Sequence, residues 1–474
     1  MWKLEKYNNI ITGFSSNVLG NILMFATTIY LTRTYNPEIY GEFRLIFSFI
    51  ALAVMILLLG RDTGIVYHSQ VEKESIDTVI KEEVYFGLLI LLLGSFLIYV
   101  FSSDILPFFL NNDTNLRYFQ ISLLMIPLWG TFNLLLASLK SKGLINYTFV
   151  LSNLTQRTLR IPFFVLISLL STSYYSLAFS MILSQVILIL LAIKRLTFSF
   201  YLVHFNINNF FRRLGYSIQL GFNTIIIVLL SKIDVLMIGK YLDNTQVAIY
   251  DTSVLLSFVV MLPFTALVKS SEPFMRNLIE DKGTQHKYIK NLRLSIDLSL
   301  GVLLFIIIAS NDVMKIFGDI YIEGAEVLII LAASNIVLVM LGSPIEILNM
   351  NGLTVRSSIL LILTILLNII LNIILIPRYG INGAGIATGV SLIFTKLISL
   401  LLIKKVFNLN FICQFIPLRS IVPFLMLLAI GFFGSFQFWG FQIIYSLALT
   451  SFFYFFLGFT QKTYRKKLFE IIKK

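Results

Sequence analysis

Lys140-Ser141-Lys142-Gly143-Leu144 ends one long apolar run and opens the next, and Asn349-Met350-Asn351-Gly352-Leu353 does the same further along the chain, with Gly143 and Gly352 separated by 209 residues. A second pair of junctions keeps nearly that spacing. The stretch from Tyr30 to Phe43 ends the first apolar run and opens the second. The stretch from Met237 to Tyr250 does so for the seventh and eighth, and Phe43 and Tyr250 lie 207 residues apart. Short polar junctions that recur at one offset between apolar runs are the mark of a duplicated helical array.

The runs themselves are long enough to span a bilayer, which takes about 20 mostly apolar residues. Fourteen are found, near 10–31, 43–67, 84–103, 118–139, 147–170, 175–193, 214–238, 247–270, 290–310, 325–347, 356–376, 383–403, 419–436 and 441–459. The expected fold is therefore all-α: a polytopic membrane protein with fourteen transmembrane helices. Residues 1–200 form one six-helix bundle and 201–405 a second, pseudo-symmetric one, and 406–474 add two extra helices and a basic tail. Parallel repeats of this kind place a substrate cavity between the halves.

Composition agrees. Of the 474 residues 57% are hydrophobic, 14% aromatic and 13% charged, where a soluble domain carries about 25% charged residues. The formal net charge of +13 needs no nucleic acid. Alternating the loops puts most Lys and Arg on the side holding both termini, from Lys3 and Lys6 through Lys140, Lys142, Lys194, Arg195, Arg212, Arg213, Lys404 and Lys405 to the tail at Lys462–Lys474. The other side keeps Arg33, Arg44, Arg117, Lys240, Lys315 and Arg378. This asymmetry assigns both termini to the cytoplasm, and the tail reads as an anchor to anionic lipid. The first run is too long for a signal-peptide core. Cys413 is the single cysteine and there are three histidines, so neither an internal disulfide nor a structural zinc site is expected. No phosphate-binding loop is present. The external loops are all short, which argues against an enzyme working on sugars outside the membrane.

Ionisable side chains inside spans are the functional signal, because burying them is expensive. Arg157 and Arg160 sit one turn apart on one face of the fifth span. A structural pair is one reading. The other is an anion site, since Arg gives bidentate donors to phosphate. Arg61 and Asp62 lie toward the cytoplasmic end of the second span, as an interfacial ion pair or as part of that site. Lys232 and Asp234 flank Ile233 in the seventh span. With Lys396, the intramembrane cations outnumber the acids, which points to an anionic substrate.

The stretches Arg33-Thr34-Tyr35-Asn36-Pro37-Glu38-Ile39-Tyr40-Gly41, Lys232-Ile233-Asp234-Val235-Leu236-Met237-Ile238-Gly239 and Asn368 through Pro377 and Gly383 to Thr388 resemble the polysaccharide (O-antigen type) flippases of the multidrug/oligosaccharidyl-lipid/polysaccharide exporter superfamily, across the whole chain. The resemblance implies an alternating-access transporter, not an enzyme, in a bacterial cytoplasmic (inner) membrane, taking an undecaprenyl-pyrophosphate-linked oligosaccharide. It implies a possible polysaccharide polymerase as partner and a role in lipopolysaccharide assembly. A drug or cation antiporter of the same superfamily is the rival. The resemblance also carries a cation site onto Asp234, Asn368, Asn372 and Thr388, with the carbonyl of Ala384 one turn before Thr388. These are hard oxygen donors suited to Na⁺. Asparagines that only bridge helices are the competing reading, and a proton on Asp234 is the competing coupling chemistry. No other cofactor is expected.

Overall fold

The computed structural model describes residues 2–71, 75–109, 115–196, 207–268, 281–407 and 442–460, together with Met275, Leu278, Ile421 and 423–428. The elements described are helical. In order they are α1 (Trp2–Thr34), α2 (Pro37–Leu58), α3 (Arg61–Val71), α4 (Ile76–Val100), α5 (Ser102–Phe109), α6 (Leu116–Ser122), α7 (Met125–Ser141), α8 (Ile145–Phe149), α9 (Gln156–Leu170), α10 (Tyr174–Leu196) and α11 (Ile207–Tyr241). They continue with α12 (Asn244–Ser257), α13 (Leu262–Leu267), α14 (Lys282–Lys315), α15 (Ala325–Met340), α16 (Pro344–Met350), α17 (Thr354–Phe407) and α18 (Gln442–Thr460).

The chain is an all-α, polytopic membrane protein. Among the described residues, nine helical stretches are long and apolar enough to cross a bilayer. They cover the expected spans two to four and six to twelve, the eleventh and twelfth being joined in α17. At Gly380 the backbone of α17 leaves helical geometry, with φ 57° and ψ −140°, so two helices meet there. The first and fifth expected spans are helical, as α1 and α8–α9, but are not among the nine. The thirteenth span lies mostly outside the described residues, as do the basic tail and Cys413.

Sequence chemistry sets the ends. Asn36 caps α2, its side chain accepting from Glu38 N–H at 3.2 Å, and Pro37 occupies the first helical position, where its missing N–H costs nothing. Ser75 caps α4, Asn115 caps α6 and Asp281 caps α14 in the same way. The second expected span is broken. Leu59 and Gly60 take positive φ, 50° and 74°, ending α2 and re-aiming α3.

Compactness divides the chain into Met1–Ala248 and Ile249–Lys474. Helix α11, the first helix of the second repeat by spacing, packs on α2 and α3. Glycine makes this possible: a Cβ on Gly221 of α11 would lie 2.2 Å from Gly60 Cα. Arg213 of α11 also reaches Glu82 of α4 at 2.5 Å. An apolar cluster of Phe132, Leu135, Leu139, Leu151, Leu188, Ala192 and Leu196 ties α7 to α10. In the second unit, α14 packs on α15 and α18, and Tyr454 of α18 donates to Leu298 O at 2.7 Å. Lys396 there donates to Leu338 O and Gly342 O at 2.7 and 2.6 Å, with Phe264 beneath its ammonium at 5.2 Å. It closes the open carbonyl end of α15.

Candidate functional site

The first unit holds a cavity that opens to solvent, with about 820 Å³ of empty space when that solvent is included. Helical periodicity explains its walls. Helix α1 contributes Met24, Thr27, Thr28 and Leu31, and α2 contributes Tyr40, Phe43, Arg44, Phe47, Ser48 and Ala51. Both sets follow the three- and four-residue spacing of one helix face. Helix α9 supplies Arg157, Arg160 and Phe164, α7 supplies Trp129, and α11 supplies Lys232. Among the described residues the lining thus holds three arginines and a lysine, and no carboxylate.

Local structure aims the arginines. Residues Val150–Thr155 form a π-helical turn between α8 and α9, a wider turn that rotates α9 relative to α8. Gly20 of α1 has no side chain to obstruct it, and a Cβ there would lie 2.8 Å from Arg157 Nη1 and 2.5 Å from Asn153 O. Arg157 Nη1 then donates to Asn21 Oδ1 at 2.8 Å. With its amide oriented to suit both neighbours, Gln156 accepts from Arg160 Nη2 at 2.6 Å and donates to Ser152 O at 2.9 Å. Arg160 also feels the like charges of Arg157 and Arg44. These contacts leave the guanidinium groups of Arg157 and Arg160 near one another, each on a neutral amide, an arrangement that attracts an anion.

Arg157, Arg160 and Lys232 are thus brought together, and Arg61 and Asp62 do not line this cavity. Arg61 is fully buried and donates to Glu83 at 2.7 Å, with Phe86 against its guanidinium at 5.8 Å. The expected Arg61–Asp62 interfacial pair is corrected: the buried partner is Glu83, because the break at Gly60 turns α3 toward α4. Asp62 lies within electrostatic reach of Lys140. The cavity also contains Arg44, which the alternation of loops places on the outer side. A signal for its true position exists, since Asn36-Pro37 is a helix start, and it puts Arg44 two turns inside α2.

The proposed Na⁺ donors fall in both units. Asp234 is buried on α11 in the first. Asn368, Asn372, Ala384 and Thr388 lie on α17 in the second. Asn368 Nδ2 donates to Thr388 Oγ1 at 3.3 Å, and Asn372 Nδ2 donates to Asn368 Oδ1 at 3.1 Å. Ala384 is buried inside helix, where its carbonyl serves the N–H four residues on. The bond to Thr388 joins the two helices that meet at Gly380, as a helix-bridging amide does, whereas the bond from Asn372 runs within one helix. Among the described residues, no three His, Cys, Asp or Glu cluster as metal ligands.

Residues 7–275, more than half of the chain, match the polysaccharide biosynthesis protein family. The chain belongs to that family. A segment of 172 residues is 28% identical to a protein of Haloferax volcanii described as "Probable low-salt glycan biosynthesis flippase Agl15". That match covers 34% of this chain and about a third (35%) of the relative's length. Among solved structures, the lipid II flippase MurJ in an inward closed conformation aligns over 98% of this chain and 100% of its own, with a TM-score of 0.76 and 17% identity. An inward-facing multidrug resistance MATE transporter aligns over 84% and 98%, with a TM-score of 0.66 and 14% identity. At these identities the likeness is one of fold.

Proposed function

We propose that this protein is a flippase that carries an isoprenoid-pyrophosphate-linked oligosaccharide across the membrane by alternating access. The lipid carrier is undecaprenyl, and the membrane is the bacterial cytoplasmic membrane with both termini inside. The observation that supports this most is the cavity wall of Arg44, Arg157, Arg160 and Lys232, with no carboxylate among the described lining residues. A pyrophosphate offers the paired, planar acceptors that guanidinium groups bind best. Trp129, Tyr40, Phe43 and Phe47 give the adjoining sugar apolar faces. The isoprenoid tail stays in lipid. The family match and the flippase fold agree with this reading.

In this mechanism the cations hold the pyrophosphate while the cavity faces the cytoplasm. Rearrangement then exposes the head group to the far side, and release occurs when the cations are rehydrated. A cation gradient biases the cycle by binding one state better than the other. Binding of Na⁺ or of a proton to one state is one such bias. A polysaccharide polymerase consuming the product is another pull. The drug-antiporter alternative requires a site that welcomes organic cations, and four positive side chains repel them.

The test is a proteoliposome assay with a fluorescent lipid-pyrophosphate oligosaccharide. Wild type is expected to flip the lipid and Arg157→Ala/Arg160→Ala to lose that activity. Wild-type protein that leaves the lipid in place and accumulates a small organic cation sinks the flippase reading.

A further inference from the structure

Among the described residues, three glutamates of the first unit are buried, and two of them face an arginine. Glu83 accepts from Arg61 at 2.7 Å, and Glu82 accepts from Arg213 at 2.5 Å. Glu42 is as buried as Glu83, each 1% exposed, and has a different partner. Its Oε1 accepts from the backbone N–H of Asn115 at 2.8 Å. Asn115 is the cap of α6, so the carboxyl group pins the start of that helix.

The charged and titratable groups around it come from four places. Helix α2 itself brings Glu38, a like charge. Helix α6 brings Tyr118, fully buried, and α10 brings Tyr174, whose ring lies 5.7 Å from that of Tyr118. Tyr35, between α1 and α2, acts on Tyr118 and shares a hydrogen bond with Ser176 at 2.8 Å. Among the described residues this set is acids and phenols, with no cation. Arg44 is two residues on, but two helical steps rotate it by roughly 200°, and it faces the cavity.

A carboxylate has about four acceptor positions, and one backbone N–H leaves most of them unserved. Buried negative charge without a cation is the arrangement proteins avoid. The smallest ligand that removes the charge is a proton. A neutral carboxyl group keeps its carbonyl oxygen for Asn115 N–H and gains an O–H that can donate within the phenol cluster. The reaction is simple addition: the carboxylate takes one proton from water-exposed solution and returns it when water reaches the site again.

We propose that Glu42 is a proton-binding site of the first unit, held behind the anion cavity on the opposite face of α2. Helix α2 carries Glu42 on one face and Tyr40, Phe43, Arg44 and Phe47 on the cavity face. Loading or emptying the carboxyl group therefore acts on the helix that presents Arg44 to the substrate. A role in driving transport rests on the flippase reading, whereas proton binding does not.

Two arms separate these. The first is infrared difference spectroscopy on the full chain in lipid nanodiscs, stepped from acid to alkaline pH. Wild type is expected to show the carbonyl band of a protonated carboxyl group, reversibly lost at high pH. Glu42→Gln lacks that band, and Glu42→Asp retains it at a shifted position. Superimposable wild-type and Glu42→Gln spectra overturn the proposal. So does a Glu42→Asp spectrum without the band if Glu42→Gln does not fold. The second arm measures flipping of the fluorescent lipid-pyrophosphate oligosaccharide with and without an imposed pH gradient. The expected ratio is about fivefold or more in wild type, falling to one in Glu42→Gln. Equal ratios in both remove the coupling role. No flipping by wild type under either condition counts against the flippase reading itself, and the infrared arm still decides the proton.

Discussion

The two sequence repeats share their turns and differ in the polar groups that their long helices bury. After α7, Lys142 N–H donates to Ser138 O, Gly143 N–H to Lys140 O and Leu144 N–H to Leu139 O. After α16, Asn351 donates to Ile347 O, Gly352 to Asn349 O and Leu353 to Leu348 O. The three bonds coincide at the offset of 209, and both glycines are left-handed, with φ 78° and 79°. The helices after these turns part company. The first carries Arg157 and Arg160 to a cavity. In the second, residues 365–369 hold Asn368 and no cation, and Asn368 bonds to Thr388 and Asn372. Backbone geometry keeps a turn constant through duplication, whereas a face that meets the substrate is free to diverge.

The largest effects are expected where the first unit buries charge. Glu83→Gln removes the carboxylate 2.7 Å from the buried Arg61 guanidinium, and should cost about 3–5 kcal/mol. Unfolding of the purified protein in detergent measures this. Arg61→Met/Glu83→Leu should recover most of it, because a matched apolar pair avoids the desolvation cost. If the single and double variants are equally destabilised, the pair is not the source.

Next in size is the contrast between the arginines and the asparagines. Hydrogen bonds to charged groups contribute about 1.5–3 kcal/mol each, so Arg157→Ala/Arg160→Ala should slow flipping by about a hundredfold or more. Their stability cost should be small, because both line a cavity. Asn368→Ala in the second repeat should behave in the opposite way, losing about 1 kcal/mol of stability with its bond to Thr388 across the bend of α17. Its flipping rate should change little if that bond is structural. A flipping rate that becomes independent of Na⁺ in Asn368→Ala would instead revive the cation site.

Smaller again is the close approach of α11 to α3. Gly221→Ala places a methyl group 2.2 Å from Gly60 Cα, with backbone and not a flexible side chain in the way. Overpacking of this kind costs about 1–3 kcal/mol. Unaltered stability would mean that α3 gives way to admit the methyl group, and that this close approach is not what fixes α11 in place.

Much of this is legible in the chain. Apolar runs give the helices, and recurring junctions give the duplication, because both are one-dimensional patterns. Arg157 and Arg160 are legible because charge inside an apolar run stands out. Arg44 is less so, because it stands at the edge of the expected second span, and only the helix start at Asn36-Pro37 moves it two turns inside α2. The Arg61–Glu83 and Arg213–Glu82 pairs join residues 22 and 131 positions apart, and nothing local announces such partners. The packing of α11 with the first unit is hidden for the same reason: it depends on two glycines, Gly60 and Gly221, meeting in space. Glu42 looks like one more acid in a polar junction, and only its burial distinguishes it.

The smallest effect tests the shared turns themselves. A Cβ added at Gly143 or at Gly352 would meet nothing within 4 Å. The cost of Gly143→Ala and of Gly352→Ala is therefore the backbone cost of a left-handed residue alone, about 1–2 kcal/mol. If the two turns are the same structure, the two costs should agree to within about 0.5 kcal/mol. Asparagine, which tolerates this conformation, should cost less at both positions. Position 351 already holds asparagine where 142 holds lysine, so side chains beside the glycine differ while the glycine does not. Unequal costs at 143 and 352 would show that the turns are alike only in their hydrogen bonds, and that packing around one of them has taken over what the glycine does in the other.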